Sequence, residues 1–328
     1  MRKKNGIFMI LAVTLVVFAA VFAVFLKGEI AQADNDVAFE AMEESVMTET
    51  VEDTEKVTEI EEVTEVEEVE KSYIELYGLE EVDKPEKRTE EQILLKLEEL
   101  AEEYDMIREI YENVDAYSIV MLDHLANNPE MAAYVLGALE SDGSVTGGFT
   151  DAELEAEFPL LLQFDPRWGY FEYGGKEMGI SGCGPTCLAM TILGLTDYKD
   201  VTPDKIAAYS LANDYYVKDV GTAWDLIDEF PTLYGLTVSI TGINEELMKS
   251  ELDKGNMLIC SVRKGIFTAG GHFIVIYGYD ETGFKVNDPM CVARSNKTWT
   301  YAQFGRQIKR IWSVGVKYEE LSASEMVR

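Results

Sequence analysis

Chemistry can begin at Ser181-Gly182-Cys183-Gly184-Pro185-Thr186-Cys187-Leu188-Ala189-Met190. Glycines on both sides of Cys183 permit a tight turn and the close approach of another group. Pro185 is preorganised for the first turn of a helix. Leu188, Ala189, Met190, Ile192 and Leu193 make that helix apolar and predict its burial. Cys183 is therefore expected at or just before a helix N-terminus, where free N–H groups and the dipole favour an anion such as a thiolate. A nucleophilic thiol needs a base, and the base needs a group to orient it. The chain has only two histidines, His124 and His272. His272 follows Ala269-Gly270-Gly271, where backbone can pass close by, and it opens an apolar strand. Two acids follow it. Asp280 sits in the polar turn Asp280-Glu281-Thr282-Gly283 and reads as solvated. Asp288 ends a strand in Asn287-Asp288-Pro289, on the hairpin partner of the His272 strand, where cross-strand neighbours meet. Asp288 is the expected orienter, with Asn287 in reserve. Acyl transfer also needs donors for an oxyanion; the Cys183 N–H is one and the side-chain amide of Gln163 is the expected second.

These residues need elements to hold them. Leu160-Leu161-Leu162-Gln163-Phe164 runs into a turn at Asp165-Pro166. Helices are predicted at Cys183, over 202–211 and over 221–230. Strand patterns follow at 237–240, 257–262, 272–279 and 283–287, separated by Gly- and Asp-rich turns. Helices first and an antiparallel sheet afterwards make an α+β arrangement.

Further upstream, Thr89-Glu90-Glu91-Gln92 has the form of a capping box. Ile93, Leu97, Leu100, Tyr104, Ile107 and Tyr111 then recur at helical spacing. A second helix is expected over Tyr117, Val120, Met121 and Leu125, stopped by Asn127-Asn128-Pro129. A third carries Tyr134, Val135 and Leu139. Residues 89–141 thus read as a small helical module packed on the following domain, with 142–157 as a linker. His124 lies in this module with no motif after it and reads as a surface or half-buried helix residue.

The formal charge is -33 over 328 residues, and it is uneven: residues 34–91 hold 23 Asp or Glu against 5 Lys or Arg. Such a chain lacks the basic face that nucleic-acid binding requires. Residues 34–88 are acidic, poor in aromatics and partly repetitive, which predicts a disordered spacer. Arg2, Lys3 and Lys4 precede twenty uncharged residues, Ile7 to Leu26. Residues 1–33 match either an export signal ending at Ala31-Gln32-Ala33 or an uncleaved membrane anchor. Both place everything after Leu26 outside the cytoplasm, secreted or held at the membrane by that helix. The four cysteines, Cys183, Cys187, Cys260 and Cys291, form no C-x-x-C pair and suggest neither zinc nor a disulfide framework. No metal or other cofactor is implied.

Gln163-x-Asp165-Pro166-Arg167-Trp168, then Gly182-Cys183-Gly184-Pro185-Thr186, then Gly271-His272-Phe273-Ile274-Val275, then Asn287-Asp288-Pro289 resembles the stand-alone relatives of the bacteriocin-leader (double-glycine) peptidases, within the papain-like cysteine peptidases. The order Gln, Cys, His, Asp is the family's. Trp299-Thr300-Tyr301 and the stretch 308–312 resemble its closing helix and strand. The resemblance implies a papain-like domain over 158–318, with 319–328 as a tail. It implies Cys183 as nucleophile, His272 as general base and acid, Asp288 as its orienter and Gln163 as oxyanion donor, acting on a peptide or amide. Gly221-Thr222-Ala223-Trp224 resembles a family segment near the cleft, so Gly182, Gly221, Trp224 and Gly271 are expected along the substrate. Cys187, one turn after Cys183, reads as a small core residue, with a resolving thiol as the sharper reading. Leader-processing enzymes carry a multi-span transporter and a nucleotide-binding domain, which this sequence does not contain, so the substrate need not be a double-glycine leader. An inactive surface binding module on the same fold, or an acyltransferase on the same residues, are the alternatives.

Overall fold

The alternation of apolar residues between two faces organises the molecule. The computed structural model describes residues 71–218 and 220–317. Its main sheet is antiparallel and joins β3 (Leu236–Thr241), β4 (Met257–Arg263), β5 (Gly271–Asp280), β6 (Gly283–Asn287), β7 (Thr298–Trp299) and β8 (Ile308–Val316) in the order β3-β8-β4-β5-β6-β7. Successive side chains on a strand point to opposite faces. Met257, Ile259, Phe273, Val275, Trp312 and Val314 accordingly face the apolar Cys183–Leu195 helix. Leu258, Cys260, Val262, Ile274 and Ile276 face the other way, onto Met248, Phe267 and Phe304. Covering both faces explains why β4 is buried from Met257 to Val262 and reads as a continuous apolar run. The architecture is the expected α+β, papain-like one, with a helical half and an antiparallel sheet.

The helix predicted over 221–230 divides. Gly221–Thr222 is instead strand β2, paired with β1 (Tyr216–Val217), and the helix is confined to Trp224–Glu229. Gly221 has φ +107°, a left-handed value incompatible with the interior of a helix.

Upstream, the periodic stretch that reads as one helix from Ile93 to Tyr111 is two, Glu90–Ala101 and Asp105–Glu112. The first starts at the predicted capping box, Thr89 with Gln92. It ends where Arg108 Nε donates to the Ala101 carbonyl at 3.0 Å, satisfying a group the helix end leaves open. The break lets Ile93, Leu97, Leu100, Ile107 and Ile110 enter one core. That core also takes Met121 and Leu125 from the helix Ile119–Asn127, Tyr134 and Val135 from Ala132–Gly137, and Leu162, Phe164 and Val292 from the downstream half. Leu139 lies beyond that last helix and is exposed.

Residues 71–88, predicted as the end of an acidic disordered spacer, carry ordered structure instead. A capped helix occupies Tyr73–Tyr77, Tyr134 N–H donates to the Tyr73 hydroxyl at 3.1 Å, and Pro85 is buried. Tyr73 and Ile74 pack on the upstream helical core, and Leu79 N–H donates to Glu130 at 3.0 Å. The stretch 142–157 contains a short helix, Asp151–Glu155, whose Glu153 pairs with Arg167 at 2.7 Å. The N-terminal apolar segment, the acidic repeat up to residue 70 and the tail from 318 lie outside the described residues. Among the described residues no helix is long and apolar enough to cross a membrane.

Candidate active site

Cys183 is the first residue of the buried helix Cys183–Leu195, the position its glycines and Pro185 predict. Gly184 lets this helix end approach β2: a Cβ there would meet Thr222 Oγ1 at 2.6 Å. Thr222 in turn bonds the Tyr173 hydroxyl at 3.0 Å, and Thr186 Oγ1 donates to the Gly182 carbonyl at 2.9 Å. Gly182 has a structural task. It does not line the cleft; a Cβ would meet the Met178 carbonyl at 2.6 Å.

His272 lies near the start of β5 and is buried. Its Nε2 donates to Asp288 Oδ1 at 2.7 Å, which leaves Nδ1 for the sulfur of Cys183, its neighbour in the cleft. Burial alone would push this imidazole toward neutrality. The charge and hydrogen bond of Asp288, with the Cys183 contact, outweigh burial and raise the His272 pKa to about 9. Asp288 is fully buried, and burial would raise its pKa. The Arg294 and His272 charges prevail and hold it below the usual carboxylate range. Its Oδ1 also accepts from Met290 N–H at 2.9 Å, and Oδ2 accepts from Arg294 Nε at 2.7 Å. Asn287, the reserve orienter, turns elsewhere and donates to the Pro159 carbonyl at 2.9 Å.

Gln163 faces the same cleft beside Cys183 and His272. Its Nε2 donates to the Gly179 carbonyl at 2.9 Å and to the Met178 carbonyl at 3.5 Å, while Oε1 is buried without a partner among the described residues. The turn that carries it is fixed by Arg167, which bonds both Asp165 and Glu153 at 2.7 Å, and by Trp168 Nε1 donating to the Leu162 carbonyl at 2.8 Å. Gln163 N–H also donates to the Pro289 carbonyl at 2.8 Å, joining the amide's turn to the loop after Asp288.

The cleft has two lobes that meet at Cys183, His272 and Gly271. One, of about 480 Å³, includes Gly221, Thr222 and Trp224, so three of the four expected substrate contacts lie there. The other, of about 290 Å³, runs past Gln163 toward the upstream helices.

Two residues that sequence reasoning passed over belong to this site. Arg294 neutralises the orienting acid; a lone Arg six residues after Asp288 carries no signal until its burial is known. His124 lines both lobes. The core face of its helix is Met121, Leu122, Leu125 and Ala126, so Asp123, His124 and Asn127 make a second face at helical spacing. That face was the available clue. The upstream segment also holds the loop after Asp288. Glu130 accepts Val292 N–H at 2.8 Å and Ala293 N–H at 2.9 Å, and Asn128 Nδ2 donates to the Met290 carbonyl. Cys187, Cys260 and Cys291 are buried free thiols, and burial raises the pKa of each. That is the condition of a packed thiol and not of a reactive one.

A thiol at a helix start, an imidazole on the facing strand and a carboxylate behind it, on an α+β scaffold, define a cysteine peptidase-like protein. The Peptidase_C39 like family matches residues 155–319, and the chain belongs to that family. Among solved structures, it is similar to the peptidase domain of Streptococcus ComA, described as a bi-functional ABC transporter involved in a quorum-sensing pathway. The identity is 17%, the TM-score 0.33, and the match covers 42% of this chain and 93% of that one. No curated protein matches.

Proposed function

We propose that this chain is a cysteine peptidase or amidase that works through a thioester. Cys183 Sγ, its proton already held on His272 Nδ1, attacks the substrate carbonyl carbon. The oxyanion is met by the Cys183 N–H and by the side-chain amide of Gln163. His272 gives the proton to the departing amine, leaving a thioester. Water then attacks the thioester carbonyl, loses a proton to His272, and releases a carboxylic acid and the thiol. Asp288 keeps Nε2–H engaged and so keeps Nδ1 aimed at sulfur. The observation that carries this reading is the His272 ring held by Asp288 beside Cys183 at the meeting point of two open lobes. The positive start and apolar run of the N-terminal segment support an extracytoplasmic site of action.

Peptide-library digestion with Cys183→Ala tests the proposal. Loss of cleavage by on the order of 10⁵-fold or more is expected for a missing nucleophile. Iodoacetamide should label Cys183 ahead of the three buried thiols, and His272→Ala should remove that preference. Equal labelling of all four cysteines, or cleavage that survives Cys183→Ala, overturns it.

A further inference from the structure

The larger lobe of the cleft carries a charge opposite to that of the chain. The protein has 61 Asp and Glu against 28 Lys and Arg. Yet the described residues that line this lobe include Lys176, Lys218 and Lys309 and no Asp or Glu. The three lysines come from three separate places: the turn before the Met178–Ser181 helix, the β1–β2 loop and strand β8. They surround the lobe instead of forming one run. All three are exposed, and none joins an ion pair among the described residues. Lys309 Nζ stands 5.3 Å from the centre of the Trp224 ring, with the Arg310 guanidinium 5.2 Å from it, so the cationic edge has a flat aromatic floor. Asp219, inside the same loop as Lys218, is outside the described residues.

An acidic protein repels anions at a distance. A recess lined with one sign of charge between low-dielectric walls focuses field and reverses that repulsion locally. Exposed lysines at such a recess, with no ion pair among the described residues, can take a carboxylate as partner. From this we infer that the cleft selects an acidic peptide, with Asp or Glu side chains on the side of the reacting carbonyl that occupies the larger lobe. The inference rests on the proposed thiol chemistry at Cys183 and adds the charge class of its substrate. Side-chain carboxylates fit three lysines spread around the lobe; a single terminal carboxylate would engage one.

Alkylation of Cys183 tests the charge without knowledge of the substrate. Iodoacetate and iodoacetamide differ by one negative charge and attack the same sulfur. Their rate ratio at Cys183, mapped by mass spectrometry on the full chain, should fall about 10-fold in Lys218→Glu/Lys309→Glu, the lower end of electrostatic steering effects. It should fall toward the same value in wild type at about 1 M salt, where the screening length is about 3 Å. In parallel, C-terminally amidated peptides with Glu on one side of the cleaved bond should be preferred to Gln analogues, and the double variant should lose that preference. A preference that instead follows a free C-terminal carboxylate on otherwise neutral peptides overturns the side-chain assignment. Rapid alkylation with a ratio indifferent to charge reversal and salt overturns this inference alone. Alkylation by both reagents no faster than at a free thiol overturns the thiol chemistry and this inference with it.

Discussion

Two regions of the molecule bring a histidine to the same cleft and leave it in opposite states. His272 comes from the sheet, and its Nε2 is held by a buried carboxylate at 2.7 Å, which raises its pKa to about 9. His124 comes from the upstream helices. Its Nδ1 donates to the Val120 carbonyl of its own helix at 2.8 Å. Burial lowers its pKa; the Val120 bond and Asp123 oppose this, and the positive Lys176 and His272 add to it. Near neutral pH one ring is a cation and the other is neutral. Residue type and access to the cleft are shared, so the difference lies in the partner. A charged acceptor makes an imidazole a proton carrier beside a thiol, whereas a backbone carbonyl makes it a wall.

The comparison can be broken at its strongest point by Asp288→Asn. The amide removes the charge that separates the two histidines and leaves Arg294 buried without its acid. Cleavage should fall by up to about 10⁴-fold, the scale seen when a triad acid is neutralised. The alkaline limb of kcat/KM, expected near pH 9 in the wild type, should move to lower pH; a limb that stays in place breaks the comparison. Gln163→Ala, which removes an oxyanion donor but leaves both histidines untouched, should lower kcat by on the order of 100-fold and keep the limb where it was.

Stability gives the comparison two opposite signs. The folded pKa of His272 is above its ordinary 6.5. Its contribution is therefore complete below pH 6.5 and is lost as pH rises through about 9. His124 is shifted down, so folding resists its protonation and stability declines as pH falls through 6.5. Urea midpoints of His272→Gln and His124→Gln across this range should flatten the alkaline and acid sides respectively.

Glu130→Gln, in the upstream region, replaces an acceptor for three backbone N–H groups with one that has a single carbonyl oxygen. An unfolding free energy lower by about 1–3 kcal/mol is expected, the scale for a buried donor left unsatisfied. A lower kcat should accompany it, because the same loop carries Asp288. The smallest effect belongs to His124→Ala. A change in KM of less than about 10-fold is expected with no movement of the alkaline limb, as for uniform binding removed from a wall. A moved limb would make His124 a second proton carrier.

The four motifs were legible because each pairs a reactive side chain with residues that dictate its local backbone. Gly182 and Gly184 with Pro185 start a helix at Cys183. The period-two pattern of 272–276 and 283–287 sets Asp288 just past the end of the strand that pairs with the His272 strand. The division of the upstream helix at Glu102–Tyr104 was not legible, because apolar spacing continues across it and only the return of Ile107 and Ile110 onto Leu97 favours the break. The ordering of residues 72–88 was hidden for a similar reason: an acidic composition conceals Tyr73 and Leu79, whose partners lie far along the chain.

By itself, the sequence determined which atoms could react and in what local geometry, since turns, helix starts and strand alternation depend on near neighbours. Only the tertiary structure decided their charge and company: that Arg294 would share Asp288 with His272, that Glu130 would close the loop between them, and that His124 would stand opposite, uncharged. Those outcomes depend on burial and on hydrogen bonds between distant segments, which arise when separate faces pack together.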